Sequence, residues 1–94
     1  MKMKTYPESK EIMFLKADIN YTEFHLVDGR KIVSSYTLKT FVQQHSNFIR
    51  INRGTLLNPS HIKTIERDGN RACISLYNGS HLWVSRRRMY HFNI

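Results

Sequence analysis

Along most of the chain, apolar and polar residues alternate with a period of two, the mark of strands that bury one face. The alternation is clearest in Thr22-Glu23-Phe24-His25-Leu26, which sets Thr22, Phe24 and Leu26 against Glu23 and His25. It recurs in Arg71-Ala72-Cys73-Ile74-Ser75-Leu76, which turns Ala72, Ile74 and Leu76 inward. Glu11-Ile12-Met13-Phe14-Leu15 is a shorter apolar run with β character, Ile62-Lys63-Thr64-Ile65-Glu66 predicts another strand, and His81-Leu82-Trp83-Val84 points Leu82 and Val84 to one side. Asp28-Gly29, Asp68-Gly69 and Asn78-Gly79 punctuate these runs and predict hairpins, because glycine supplies the positive φ of a tight turn. Asp18-Ile19-Asn20-Tyr21 predicts a turn, and residues 31–36 a returning strand. Only Leu38, Phe41 and Val42 keep helical spacing, with Thr37 placed to cap and His45-Ser46-Asn47 as an exit. A helix of about two turns needs tertiary support, so it predicts a brace on the sheet. The pattern is that of a mostly β fold of antiparallel sheets with one short α-helix. No useful internal repeat stands out.

The pivotal stretch is Phe48-Ile49-Arg50-Ile51-Asn52-Arg53-Gly54-Thr55-Leu56-Leu57-Asn58. Ile49 and Ile51 share one strand face, Gly54 ends the alternation, Leu56 and Leu57 return to a core, and Asn58-Pro59 signals a turn. Between them lies an elbow carrying Arg50, Asn52, Arg53 and Thr55 with no carboxylate nearby. Guanidinium and carboxamide groups pair bidentately with guanine and adenine edges.

Charge sharpens that reading. Fifteen Lys and Arg against seven Asp and Glu give a net charge of +8, which points to a polyanionic partner. No acidic residue falls between Gly29 and Ile65, nor after Asp68, where Arg71, Arg86, Arg87 and Arg88 follow. Ninety-four residues make one domain, divided into a flexible arm or linker over residues 1–10 and a folded unit over 11–94. The single Cys73 gives no internal disulfide and suits a reducing, cytoplasmic setting. No apolar run approaches a membrane span of about 20 residues, and residues 1–10, with Lys2, Lys4 and Lys10 but no apolar h-region, are not expected to be a signal peptide.

The sequence offers little for catalysis. His25, His45, His61, His81 and His91 have no metal-ligand spacing, so no metal site is expected. Cys73 sits mid-strand without a nameable base, no carboxylate pair stands out, and glycine-rich phosphate loops are missing. The expectation is a non-enzyme with no catalytic residues, no cofactor and no small-molecule substrate.

In order and spacing, Phe48-Ile49-Arg50-Ile51-Asn52-Arg53-Gly54, Leu56-Leu57-Asn58, Ile62, Ile65, Asn78-Gly79 and Val84-Ser85-Arg86-Arg87 resemble the LytTR family of DNA-binding domains. Upstream, Glu11-Ile12-Met13-Phe14-Leu15, Asn20-Tyr21 and Thr37-Leu38 fit the same pattern, so the resemblance runs from about residue 10 to residue 90. It implies an elongated, mostly β, LytTR-like fold that binds double-stranded DNA without a recognition helix. Loops would enter successive major grooves and bend the duplex at short direct repeats in bacterial promoters, with a second copy on the adjacent repeat. Such modules usually form the output half of two-component response regulators. The present 94 residues hold no phosphoacceptor receiver domain, which leaves open a stand-alone regulator or part of a longer one.

Carried over by position, the base-reading residues are Asn20, Tyr21 and Thr22 in the first turn, Asn52 and Arg53 at the elbow, and Arg86 after the last strand. Arg50, Thr55, Lys63, Arg87 and Arg88 are the expected phosphate contacts. Arg50 has a structural alternative, an ion pair with a carboxylate such as Glu66. Asn52 and Gly54 depart from the His and Ser usual in the family, which shifts the expected sequence preference. The competing reading is a β-rich RNA or single-stranded nucleic-acid binder stacking bases on Tyr36, Phe48, Tyr77, Trp83 and Tyr90.

Overall fold

Two antiparallel sheets account for most of the regular structure in the computed structural model, which describes residues 6–92. Strands β1 (Ile12–Asp18), β2 (Tyr21–Leu26) and β3 (Lys31–Ser34) lead into helix α1 (Leu38–Val42). The chain continues through β4 (Ile49–Asn52), β5 (Thr55–Leu57), β6 (Ile62–Asp68), β7 (Arg71–Leu76) and β8 (His81–Val84), and ends in a 3₁₀ segment, Arg86–Phe92. The larger sheet has the order β3-β2-β1-β5-β4 and the smaller β6-β7-β8. The molecule is elongated, 46 × 25 × 21 Å.

The larger sheet is the middle layer, and its inner strands β1 and β5 are buried on both faces. One face packs Ile12, Leu15, Phe24, Leu26 and Leu56 against Leu38 and Phe41 of α1. The other sends Phe14, Ile51 and Leu57 into a cluster with Ile74, Val84 and Met89. This is why Ile12-Met13-Phe14-Leu15 reads as an unbroken apolar run, whereas β2 and β7 alternate as expected. Leu56 and Leu57, adjacent in the chain, serve opposite clusters.

The helix is shorter than the sequence suggests, five residues from Leu38 to Val42. Thr37 occupies the N-cap position, yet its side chain makes no capping bond. Its stability rests instead on burial of Leu38 and Phe41, each such side chain contributing roughly 1.5–3 kcal/mol.

The expected arm differs as well. Residues 1–5 lie outside the described residues, but Tyr6 stacks on Phe24 at 5.4 Å between ring centroids and meets Phe41 edge-on at 5.2 Å. Its hydroxyl bonds Ser34 Oγ at 2.8 Å, and Ser9 Oγ bonds His45 Nδ1 at 2.7 Å. Residues 6–10 are therefore part of the fold, because an aromatic ring finds a site over the otherwise open Phe24-Phe41 pair.

A repeated unit also emerges that the sequence conceals. Every boundary of β6, β7 and β8 is that of β1, β2 and β3 plus 50 residues. The registers correspond too: Ile12 pairs Leu26 and Asp18 pairs Tyr21, as Ile62 pairs Leu76 and Asp68 pairs Arg71, with an irregularity after Ile12 and after Ile62. Even the second hairpin bonds match, Gly29 N to Leu26 O and Gly79 N to Leu76 O, both 3.0 Å. Few side chains coincide at this offset, among them Ile12/Ile62, Asp18/Asp68, Asn20/Asn70 and Gly29/Gly79.

Candidate nucleic-acid interface

Backbone pairing brings three chain reversals and one strand exit into one row. Ala17 N donates to Gly54 O at 2.8 Å, tying the β1–β2 turn (residues 18–21) to the β4–β5 elbow (52–54). Ser85 N donates to Ile51 O at 2.9 Å, tying the elbow to the exit of β8. The register Ala72 to Val84 then sets the β6–β7 turn (68–71) beside that exit.

Asn52 makes the joint directional. Its Nδ2 donates to Trp83 O at 2.8 Å across the two sheets, and its Oδ1 accepts from Gly54 N at 2.9 Å within the elbow. Each amide atom keeps a second site, one N–H and one lone pair, for another partner. A cleft of about 610 Å³ opens beside this joint, lined by Lys16, Asn52, Gly54, His81 and Trp83 among others.

The arginines gather around the same joint. Arg50 Nη2 donates to Arg53 O, while its buried Nε has no partner among the described residues. Burial pulls the Arg50 guanidinium below its usual pKa, with the charges of Arg88 and Arg53 adding to that effect. The alternative ion pair to Glu66 is not formed; among the described residues the ion pairs involve Lys10, His25, Arg30 and Lys31 with Glu8, Glu23 and Asp28. Arg53, Arg86 and Arg87 are exposed and Arg88 is half-buried. A half-buried guanidinium crowded by like charges and lacking a carboxylate is electrostatically complementary to an anion.

The other expected residues divide. Asn20 and Tyr21 are exposed on the β1–β2 turn. Thr22 is not available: it is fully buried on the Phe24 side of β2, and its hydroxyl donates to Tyr36 O at 2.8 Å. Thr55 is likewise buried, because β5 lies inside a sheet covered on both faces; the expectation of a phosphate contact there is corrected. Lys63 is exposed, but at the end of β6 away from the arginines. Of the aromatics imagined as a stacking platform, Phe48 is buried and stacked on His45. Tyr36, Tyr77, Trp83 and Tyr90 are exposed but lie on separate elements. Sequence reasoning missed Arg71, whose guanidinium sits 5.0 Å from the Trp83 ring centroid beside the arginine-rich exit.

Among the described residues, no group of three or more His, Cys, Asp or Glu is placed to hold a metal ion, and no helix is long and apolar enough to cross a membrane.

Comparison with known proteins agrees with this architecture. The family model of the LytTr DNA-binding domain matches residues 5–93. The chain is also similar to the solved LytTr DNA-binding domain of a Bacillus cereus protein described as a methyl-accepting/DNA response regulator. That match has a TM-score of 0.81 and 25% sequence identity, and covers 90% of this chain and 80% of that one. None of the curated proteins compared with the chain matches it.

Proposed function

The chain belongs to the LytTR family of DNA-binding domains, and from that premise we propose that it reads promoter DNA as a bacterial transcription regulator acting in the cytoplasm. The family is one of DNA-binding domains and not of enzymes. The carboxylate-free cluster of Arg50, Arg53 and Arg88 beside exposed Arg86 and Arg87 carries the reading. Within it, Arg50 and Arg88 offer phosphates a cationic seat, while Arg53 and Arg86 can turn towards base edges.

The row of turns supports groove insertion. The long dimension of 46 Å exceeds the roughly 34 Å between successive major grooves on one face of a duplex, so the molecule is long enough to reach adjacent grooves. Asn20, Tyr21, Asn52, Arg53 and Arg86 are the proposed base contacts, and Arg50, Arg87 and Arg88 the proposed phosphate contacts, with Lys63 reaching backbone further along. Short direct repeats, one per copy, suit such a module, and bending would let both ends engage together. The similar B. cereus domain belongs to a protein described as a methyl-accepting/DNA response regulator, which favours a response-regulator, two-component setting for this chain.

Selection from a random double-stranded DNA library, with a random single-stranded RNA pool run beside it at matched salt, tests this. The expected result is a short duplex motif. Arg53→Ala and Arg86→Ala should each relax preference at one position by about 1–3 kcal/mol. Enrichment in the RNA pool alone would instead establish the single-strand reading.

A further inference from the structure

The β1–β2 turn holds a residue that its own repeat shows to be unfavourable there. Ile19 has φ 51°, while Gly69, its counterpart fifty residues on, has φ 62°. In both turns only the first central residue, and not the following Asn20 or Asn70, has positive φ. That is the pattern of a two-residue hairpin turn that calls for glycine first. A β-branched side chain in this region is strained, and such strain persists chiefly where the residue has a task. Ile19 is also 90% exposed, so it contributes almost nothing to the core. Its place is the tip of the turn tied through Ala17 and Gly54 to the arginine-bearing elbow.

We infer that Ile19 is a specificity-determining side chain that reads a thymine C5-methyl group in the major groove, an inference that rests on the double-stranded DNA reading above. The thymine methyl is the one apolar feature of a major-groove edge, and aliphatic side chains are its natural partners. The exposed Asn20 and Tyr21 that follow it are available for polar contacts beside that methyl contact. The second copy of the turn, with Gly69, keeps the same backbone and presents no side chain, so its role differs.

The test uses the duplex recovered by selection, with each thymine replaced in turn by deoxyuridine, which lacks only the methyl. Wild-type protein should lose about fourfold in affinity at one such position, the worth of one buried methyl-sized group. Ile19→Gly should bind the unsubstituted duplex weaker by a similar factor, be indifferent to deoxyuridine at that position, and melt at the same or a higher temperature than wild type. Undiminished affinity of Ile19→Gly would overturn the inference. So would a loss of affinity with unchanged sensitivity to deoxyuridine, or one that accompanies a lower melting temperature. Recovery of no duplex at all would overturn the DNA-binding reading and this inference with it.

Discussion

Arg50 separates a structural arginine from a ligand-binding one, and Arg50→Met tests which it is. Methionine keeps an unbranched stem along β4 and removes the guanidinium. Three quantities decide the effect on the free protein. Losing the charge-assisted bond from Nη2 to Arg53 O removes about 1.5–3 kcal/mol. Relieving the buried, unpartnered Nε returns about 1–3 kcal/mol. Removing a half-buried charge that faces Arg53 and Arg88 adds a further favourable contribution. The net change should therefore lie within about 2 kcal/mol of zero, whereas breaking a buried structural ion pair would cost about 3–5 kcal/mol. Urea unfolding followed by fluorescence of Trp83, the only tryptophan, measures it.

DNA binding should respond in the opposite manner. One lost phosphate contact lowers the slope of log affinity against log salt by about 0.9, and the lost charged hydrogen bond weakens binding at low salt by roughly tenfold or more. Fluorescence anisotropy across a salt series gives both. A variant that is destabilised by more than about 3 kcal/mol, yet binds with an unchanged salt slope, would refute the reasoning and make Arg50 a structural residue.

Two further outcomes follow from the buried polar groups. Thr22→Val should destabilise the domain by about 1–3 kcal/mol, because Tyr36 O loses its donor, without altering the selected DNA motif; an altered motif at unchanged stability would contradict its burial. Burial lowers the pKa of His45 from its ordinary 6.5, so stability should be intact above about pH 6.5 and decline as the pH falls below it, since protonation then favours the unfolded chain. His45→Phe, which keeps the stacking on Phe48, should flatten that decline in melting temperature, and parallel slopes in the two proteins would refute the assignment.

How much was legible in the chain depended on how many layers covered each strand. β2 and β7 have one well-buried face and a half-exposed one, and their alternation placed every side chain correctly. The same alternation already set Thr22 beside Phe24, so its inward position was available; motif position alone suggested a DNA contact. Thr55 was less readable, because a central strand covered on both faces leaves no outward position to recognise. Tyr6 docking depended on a three-ring contact distant in sequence, for which the amino-terminal lysines gave no sign. The repeat escaped notice because strand geometry requires only a period and turn residues. Phe24/Ile74, Thr22/Ala72 and Ile19/Gly69 fill equivalent places with different chemistry.

The joint between the sheets explains why a loop-based interface can hold its spacing. Apolar packing of Ile51, Leu57, Ile74 and Val84 drives the sheets together but is non-directional, and by itself allows one sheet to rotate or slide on the other. Two directional contacts remove that freedom: Ser85 N to Ile51 O, and Asn52 Nδ2 to Trp83 O. Both flank the elbow, so they fix Arg53 relative to Arg86 and Arg88 at the point where the sheets meet. Groove contacts lose their value when displaced by about an ångström. An amide that closes the elbow through Gly54 N while gripping the second sheet therefore couples the shape of the loop to the placement of the next one. Asn52 thus sets the position of the elbow whether or not it also meets a base.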